Sequence, residues 1–259
     1  GSRLRHRRED RLQTAVVVGR NRYVWLGTGK VFDAFTFAFV QTDAGWIWFH
    51  GYRFDSDTST CIVECTPQTW EGLGFNVLAP DQSTLLLEDV FKRHLDGRRL
   101  MSQTRGLGRT RWLSFARVTN QTWSRDNVVL MGDAAHTTHF SIGSGTKLAI
   151  EDAIVRIERS LELEPERADF AREHDNLADA LQAYERDRRS ALLSLQQQAL
   201  DSAQWFENVD RQIDQDVVQF AFSLWQRRRG GTPPRWRYYL HLATQKQMLR
   251  SLRHAASST

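Results

Sequence analysis

The chain has 259 residues, of which 41% are hydrophobic and 25% charged, and its formal net charge is +4. This length allows one large domain or two smaller ones, and the composition is that of an ordinary soluble globular protein. No run of about 18 apolar residues is present, which excludes a membrane-spanning helix, and no signal-peptide pattern opens the sequence. We therefore expect a cytoplasmic protein.

The basic residues concentrate in two stretches, residues 3–11 and 227–237. A nucleic-acid-binding surface requires a continuous basic face within a recognisable module, and the sequence contains no such module. We therefore expect neither nucleic acid nor a membrane as a partner. Cys61 and Cys65 lie four apart in a predicted strand, about 13 Å from one another. This separation is too large for a disulfide, so reduced thiols are expected.

The first part of the chain predicts an antiparallel sheet. Residues 35–40 alternate between aromatic and smaller side chains, which is the period of a strand. Residues 23–26, 46–50 and 59–65 are further β-rich runs at short spacing. Helices are then predicted from Thr66-Pro67, where a cap residue precedes proline, and over 83–95.

The second part predicts two strands and two long helices. Residues 112–118 alternate like a strand, and the four consecutive apolar residues 128–131 indicate a strand buried on both faces. Ile150, Ile154, Ile157 and Leu161 have helical spacing and predict a helix over 145–161. A charged surface connection, 162–176, then precedes a long amphipathic helix marked by Leu177, Leu181, Tyr184, Leu192, Leu195, Ala199 and Phe206. Residues 230–234 break the chain before a basic tail.

The stretch that carries chemistry begins where the 128–131 strand ends. Gly132 has no side chain, which allows a ligand to approach the backbone. Asp133 follows at the carboxyl edge of the strand, where open α/β sheets bind ligands, and its carboxylate suits two vicinal ribose hydroxyls. The segment Gly143-Ser144-Gly145 then opens a helix whose unpaired N–H groups and positive dipole end stabilise negative charge. The N1–C2=O edge of a reduced flavin carries such a charge.

These residues also carry a resemblance to a known family. Gly132-Asp133-Ala134-Ala135-His136 resembles the second FAD motif of the single-component aromatic hydroxylases, the class of p-hydroxybenzoate hydroxylase. The usual motif has two prolines where this chain has His139-Phe140. The stretch from His139 to Ala153 is similar to salicylyl-CoA 5-hydroxylase and to 2-aminobenzoyl-CoA monooxygenase. Segments 19–28, 58–65 and 205–209 fit the same group, and they are also similar to the tryptophan-derivative hydroxylase of violacein biosynthesis.

The resemblance implies a fold and a set of cofactor contacts. The fold would be α/β (α+β): part of a Rossmann-like FAD-binding domain (1–18 and 119–161), an inserted antiparallel-sheet substrate domain (19–118) and C-terminal helices (162–259). Asp133 would bind the ribityl or ribose hydroxyls of FAD. The remaining cofactor-binding residues would be Arg5, Gly132, Gly143, Ser144, Gly145 and Thr146. We expect His136 to orient the loop.

The implied reaction is hydroxylation of an aromatic ring with FAD, NAD(P)H and O₂, and without a metal. The substrate would be an aromatic acyl-CoA such as salicylyl-CoA or 2-aminobenzoyl-CoA, or alternatively a tryptophan or indole derivative. His50, His139 and Phe140 are the candidate substrate contacts, and no catalytic residue is identified. The glycine-rich loop that cradles the pyrophosphate in this family is not in the sequence. We therefore interpret the chain as N-terminally truncated and expect it to bind FAD weakly by itself.

Two alternatives from other classes stay open. Asp133, His136 and His139 have side chains that can ligate a metal, as in a metal-dependent hydrolase. A truncated product without catalytic activity, which would only bind a partner, is the second alternative.

Overall fold

The structure is a computed structural model that describes residues 2–102, 111–126, 128–161 and 177–227, together with 236, 239–240 and 243–244. The chain forms two compact units, Gly1–Ala15 with Val118–Thr259, and Val16–Arg117. The elements in chain order are α1 (Arg3–His6), α2 (Glu9–Leu12), β1 (Thr14–Thr28), β2 (Thr36–Thr42), β3 (Gly45–Arg53), β4 (Ser59–Cys65), α3 (Pro67–Gly72), α4 (Pro80–Val90), α5 (Lys92–Leu95), β5 (Leu100–Ser102), β6 (Leu113–Asn120), β7 (Ser124–Arg125), β8 (Val128–Val129), α6 (Gly145–Leu161), α7 (Leu177–Glu207), α8 (Asp210–Ile213) and α9 (Val217–Gln226).

The Val16–Arg117 unit is built on the sheet that the sequence predicted. Its strand order is β2-β3-β4-β1-β5, with β6 also paired to β1. The pairs β1–β4, β1–β5, β2–β3 and β3–β4 are antiparallel. The predicted strands are confirmed, although β1 begins at Thr14 rather than at Tyr23.

Alternation divides the side chains of this sheet between two faces. One face packs with α4 and α5 into an apolar core, and we call it the core face; its sheet residues are Val24, Leu26, Ala38, Ile47, Phe49, Cys61, Val63 and Cys65. The opposite face, here called the His50 face, carries the residues between them. On that face Trp48 lies directly across from Glu64 in the register of β3 and β4.

Local signals in the sequence determine where the helices of this unit begin and end. Thr66 Oγ1 accepts a hydrogen bond from the Thr69 N–H at 3.2 Å, so the predicted start of α3 is confirmed. The helix predicted over 83–95 is instead two helices that meet at Phe91. Phe91 leaves the helical conformation at φ −100° and ψ 12°, while its side chain is fully buried in the core. Burial of this aromatic ring thus coincides with the break in the helix.

Both cysteines are free thiols buried in β4, as predicted. Burial raises the pKa of Cys61 to about 12, and burial together with the charge of Glu64 raises the pKa of Cys65. Because the thiolate is the nucleophile, we expect iodoacetamide at pH 8 to alkylate both at least about a hundredfold more slowly than a free thiol. Mass spectrometry of native and urea-unfolded protein checks this. Rapid stoichiometric labelling of the native protein would contradict it.

The other unit contains α1 and α2 and most of the chain after β6. Its long helix α7 buries five residues of the predicted apolar stripe: Leu181, Tyr184, Leu192, Ala199 and Phe206. The prediction of a doubly buried strand over 128–131 is wrong. Within the described residues only Val128–Val129 is a strand; it pairs with β7 alone, and both valines are half-buried. The ladder between β7 and β8 has only two residue pairs, and neither valine is fully buried.

Helix α6 is confirmed, but its isoleucine stripe is not its buried face. Ile150, Ile154 and Ile157 are about half exposed, whereas Leu148 and Asp152 are almost fully buried. A polar cluster around Asp152 therefore sets the orientation of the helix. The predicted surface connection 162–176 and the break at 230–234 lie outside the described residues. Among the helices described, none combines the length and apolarity needed to cross a membrane.

Candidate functional site

The first feature of the site is a tight turn at Gly132–Ala134, directly after the β8 segment. Gly132 has φ +53°, a conformation that favours glycine. A Cβ at this position would lie 3.0 Å from the Cβ of Ala149 in α6. The missing side chain thus lets the turn pack against α6, whereas the sequence suggested that it makes room for a ligand. Ala149 is about one helical turn from the start of α6.

Three buried side chains hold the backbone of this turn. Arg5 Nη1 donates to the carbonyl oxygens of Asp133 and Ala134 at 3.2 and 3.4 Å. Asn120 Nδ2 donates to the Ala134 carbonyl at 3.1 Å. Asp152 Oδ2 accepts from the Gly132 N–H at 2.8 Å. The turn is therefore fixed from both sides before any ligand arrives.

The side chain of Asp133 projects from this fixed turn. It is exposed, and no hydrogen bond or ion pair engages its carboxylate within the part of the chain that the structure describes. The carbonyl of the same residue is held by Arg5. Asp133 therefore combines a constrained backbone with a carboxylate that can accept hydrogen bonds from a ligand. Of the predicted cofactor residues, the structure brings Arg5, Gly132 and Asp133 together.

Asp152 is the centre of a buried polar cluster beneath the turn. Its Oδ1 accepts from Arg188 Nε at 2.8 Å, and its Oδ2 accepts from His136 Nε2 at 2.9 Å as well as from the Gly132 N–H. Burial alone would raise the pKa of Asp152, but the three hydrogen bonds outweigh it and the pKa is lowered. His136 also stacks on Trp123 with ring centroids 5.0 Å apart. The expected loop-orienting role of His136 fits these contacts.

The second feature is the start of α6 and the loop before it. Gly143 has φ +65°, and a Cβ added there would have no neighbour within 4 Å. Gly143 and Thr146 are exposed, while Ser144 and Gly145 are half-buried. Ser144 Oγ donates to the Ile142 carbonyl at 3.3 Å. The first turn of any α-helix leaves N–H groups without intrahelical acceptors, so this loop presents donors beside open space.

A buried hydroxyl next to the helix start tests whether the loop fits a ligand. Thr138 Oγ1 is buried, and none of the described residues gives it a hydrogen-bond partner. A Cβ on Gly145 would lie 3.9 Å from this oxygen. An unsatisfied buried hydroxyl is costly, and a polar ligand edge at the helix start would satisfy it. The positive dipole end, the open glycines and this hydroxyl fit the negative, hydrogen-bonding edge of a flavin ring.

His139 and Phe140 have local structural contacts in this loop. His139 Nδ1 accepts from the Ser141 N–H at 3.3 Å and caps a 3₁₀ turn at Phe140–Ile142. The rings of His139 and Phe140 stack at 4.3 Å. Arg227 Nη2 donates to the Ser141 carbonyl at 3.0 Å, which ties the turn to the end of α9. These contacts fix the local conformation of both residues.

The candidate residue His50 belongs to the other unit and is buried on the His50 face. Its Nε2 lies 3.4 Å from Glu64 Oε2, and both side chains are almost fully buried. Glu64 also accepts from Asn21 Nδ2 at 2.8 Å and from Trp48 Nε1 at 3.3 Å. Glu64 was not predicted as a site residue. The signal that could have found it is a single carboxylate in a strand whose other side chains are apolar or small.

No group of three or more potential metal ligands occurs within the described ranges. The spacing of Asp133, His136 and His139 therefore does not correspond to a metal cluster in the structure. The hydrogen bond from His136 to Asp152 and that from Ser141 to His139 instead engage the two histidines separately. This arrangement disfavours the hydrolase alternative.

Comparisons with known proteins identify relatives of this chain. Residues 94–197 match the family model described as FAD binding domain. Salicyloyl-CoA 5-hydroxylase of Streptomyces sp is 31% identical over 231 residues, which are 85% of this chain and 42% of that protein. The 3-hydroxy-4-methyl-anthranilyl-(aryl-carrier protein) 5-monooxygenase of Streptosporangium sibiricum is 38% identical over 184 residues, 71% of this chain and 44% of that protein. Protodeoxyviolaceinate monooxygenase of Chromobacterium violaceum is 30% identical over 226 residues, which are 87% of this chain and 56% of that protein.

A solved structure shares the fold. PqsL of Pseudomonas aeruginosa, described as a probable FAD-dependent monooxygenase, superposes on this chain with a TM-score of 0.55 at 19% sequence identity. The superposition covers 80% of this chain and 54% of the PqsL chain. The mixed α/β fold class is thereby confirmed. The chain spans about half the length of the curated relatives it matches. Part of the chain thus matches the FAD binding domain family, and the chain is similar in sequence or fold to proteins named as monooxygenases.

Proposed function

We propose that the protein is a monooxygenase that uses FAD, NAD(P)H and O₂ to hydroxylate an aromatic ring. The observation that carries this proposal is the pairing of two features in one unit. An exposed Asp133 carboxylate stands on a clamped turn, and that turn packs on α6 one helical turn from its open, glycine-rich start. The similarity to three curated monooxygenases supports the reaction class.

The residues around the turn and the helix start would hold FAD. Asp133 would accept hydrogen bonds from the hydroxyls of its sugar-like chain, and the first N–H groups of α6 would stabilise negative charge on its ring. Thr138 Oγ1 adds a hydroxyl beside Gly145. Arg5, Asn120 and Asp152 position the turn through its backbone, and Arg5 stays a proposed cofactor contact. Bound FAD supplies the oxygen-transferring chemistry, and the protein excludes water and orients the ring that is hydroxylated.

The proposed substrate is an aromatic acyl group on a thioester carrier. Two of the three relatives are named for such groups, one on CoA and one on an aryl-carrier protein. An activated phenol or aniline ring needs no metal to react. The runner-up is a tryptophan or indole derivative, which the third relative favours. His50, His139 and Phe140 remain proposed substrate contacts.

The test measures NADH and NADPH oxidation by the protein, expressed with any sequence that its gene encodes on either side of this chain, in the presence of FAD and O₂. We expect salicylyl-CoA or 2-aminobenzoyl-CoA to stimulate oxidation several-fold and to yield a hydroxylated product by mass spectrometry. Acetyl-CoA, which lacks the ring, is the matched control and should have no effect. Stimulation by tryptophan derivatives alone would replace the thioester with the indole substrate. No stimulated oxidation by any aromatic compound would refute the monooxygenase.

A further inference from the structure

A cavity on the core face of the Val16–Arg117 sheet has no role in the proposed reaction. Its volume is about 300 Å³, and it lies over Val24 and Leu26 of β1. Because successive side chains of a strand point to opposite faces, this cavity is on the far side of the sheet from His50 and Glu64. Every residue that lines it belongs to the same unit. The candidate flavin residues belong to the other unit.

Apolar and polar side chains line the cavity together, and three of them are aromatic. Trp70, Phe75 and Trp112 all line it, and the rings of Phe75 and Trp112 lie 4.7 Å apart at an interplanar angle of 41°. The guanidinium of Arg22 lies over the ring of Trp70, 5.1 Å from its centroid. This cation–π contact helps to fix the indole in place. Rigid aromatic walls of this kind favour a planar apolar ligand.

A small number of polar groups share these walls. Trp70 Nε1 is buried, and the described residues offer it no hydrogen-bond partner. Ser83, of which only 7% is exposed, also lines the cavity. A buried indole N–H without an acceptor is unusual because desolvating it is costly. An acceptor atom on a bound ligand would remove that cost.

Among the described residues that line the cavity, Arg111 is the only cation, and it is exposed. No carboxylate lines the cavity within the described residues. The lining thus combines one positive charge, one unsatisfied donor and three aromatic side chains. An anionic acceptor group attached to an aromatic ring complements all three properties, whereas a cation or a sugar complements only some of them.

We propose that this cavity is a binding site for a small aromatic carboxylate. The ring packs between the aromatic walls, a carboxylate oxygen accepts from Trp70 Nε1, and Arg111 provides the opposite charge. Small-ligand sites combine apolar walls with a few polar groups that orient the ligand, and about 300 Å³ is the lower end of their volumes. The site requires neither FAD nor turnover.

The experiment titrates 2-naphthoate against the purified chain by ligand-observed NMR and isothermal titration calorimetry. We expect saturable binding that 2-naphthamide, with the same ring and no charge, reproduces only weakly. Trp70→Phe keeps an aromatic ring, although a smaller one, and removes the indole N–H donor. It should therefore weaken binding roughly threefold to tenfold. Arg111→Gln should weaken it by up to about fivefold, since the arginine is exposed.

Two controls separate this site from general effects. Arg93→Gln removes an exposed charge from the same unit, outside the cavity, and should leave binding unchanged. Trp70→Phe should still unfold in one cooperative urea transition, with a midpoint lowered by the smaller ring and the weaker contact to Arg22. Absence of saturable binding would overturn the proposal, as would equal binding by the amide or binding that neither Trp70→Phe nor Arg111→Gln affects. Since the titration contains no flavin, its failure is distinguishable from failure of the proposed monooxygenase activity.

Discussion

Replacing Asp152 by alanine is expected to lower the free energy of unfolding by about 3–5 kcal/mol, the usual cost of breaking a buried ion pair from one side. The carboxylate is fully buried and accepts hydrogen bonds from Arg188, His136 and the Gly132 N–H. Its removal leaves these donors buried without an acceptor. Urea denaturation followed by far-UV circular dichroism measures the loss.

Glu151 is the matched control for this substitution. It is adjacent in sequence and also pairs with Arg188, at 3.1 Å, but 34% of its side chain is exposed. Glu151→Gln should therefore cost less than about 1 kcal/mol. Equal small losses from Asp152→Ala and Glu151→Gln would contradict a central role for the Asp152 cluster.

The pH dependence of the difference in unfolding free energy between wild type and Asp152→Ala tests whether the charge of the carboxylate causes the loss of stability. Hydrogen bonds that outweigh burial lower the pKa of Asp152 in the folded protein below its unfolded value. A group of this kind contributes stability that is present above its unfolded pKa and is lost as the pH falls through its folded pKa. The difference between wild type and Asp152→Ala should thus be complete at pH 7 and shrink below about pH 4. A difference independent of pH would indicate packing instead.

The sequence was sufficient to predict elements whose signal is local. Alternation from Phe35 to Val40 indicated β2, and the Thr66-Pro67 pair indicated the start of α3. The glycine–aspartate turn and the glycine-opened helix were likewise read from consecutive residues. Their relation in space is also local, because the ten or so residues between them limit their separation.

Interactions between distant segments could not be read in this way. Asn120 of β6 and Asp152 of α6 bind the same turn, and Arg188 of α7 binds Asp152 in its place. Helical spacing made the isoleucines of α6 look like its buried face, yet Asp152 occupies that position because three donors compensate for its charge. Periodicity records which residues are apolar and contains no information about such compensation.

The strand expected over 128–131 illustrates the same limit. Four consecutive apolar residues are typical of a strand that is buried on both faces. Such a run specifies the environment it requires but not whether packing elements supply it. In the described residues β8 has β7 as its partner, and Leu130 is buried by packing instead, beside Tyr184, whose hydroxyl donates to its carbonyl at 3.1 Å.

Replacing Asp133 by alanine is expected to weaken FAD binding by about tenfold to a hundredfold, which corresponds to hydrogen bonds from hydroxyls to a charged acceptor. The loss should appear in binding and not in folding, because no described residue depends on this exposed carboxylate. Arg5, Asn120 and Asp152 hold the turn through its backbone, so the turn keeps its shape in the variant. Quenching of flavin fluorescence, titrated up to high protein concentration, gives the ratio of dissociation constants even where wild-type binding is weak.

The matched control is Asp210→Ala, which removes an exposed carboxylate from α8 in the same unit and should leave FAD binding unchanged. Asp133→Asn retains one acceptor oxygen without the charge, so its affinity should fall between wild type and Asp133→Ala. A graded series of this kind distinguishes direct hydrogen bonding from a general loss of negative charge, which would affect Asp210→Ala and Asp133→Ala alike. If Asp133→Ala retained wild-type affinity, the turn would not be the part of the site that holds the hydroxyls, and the proposal would then depend on the start of α6 and Thr138.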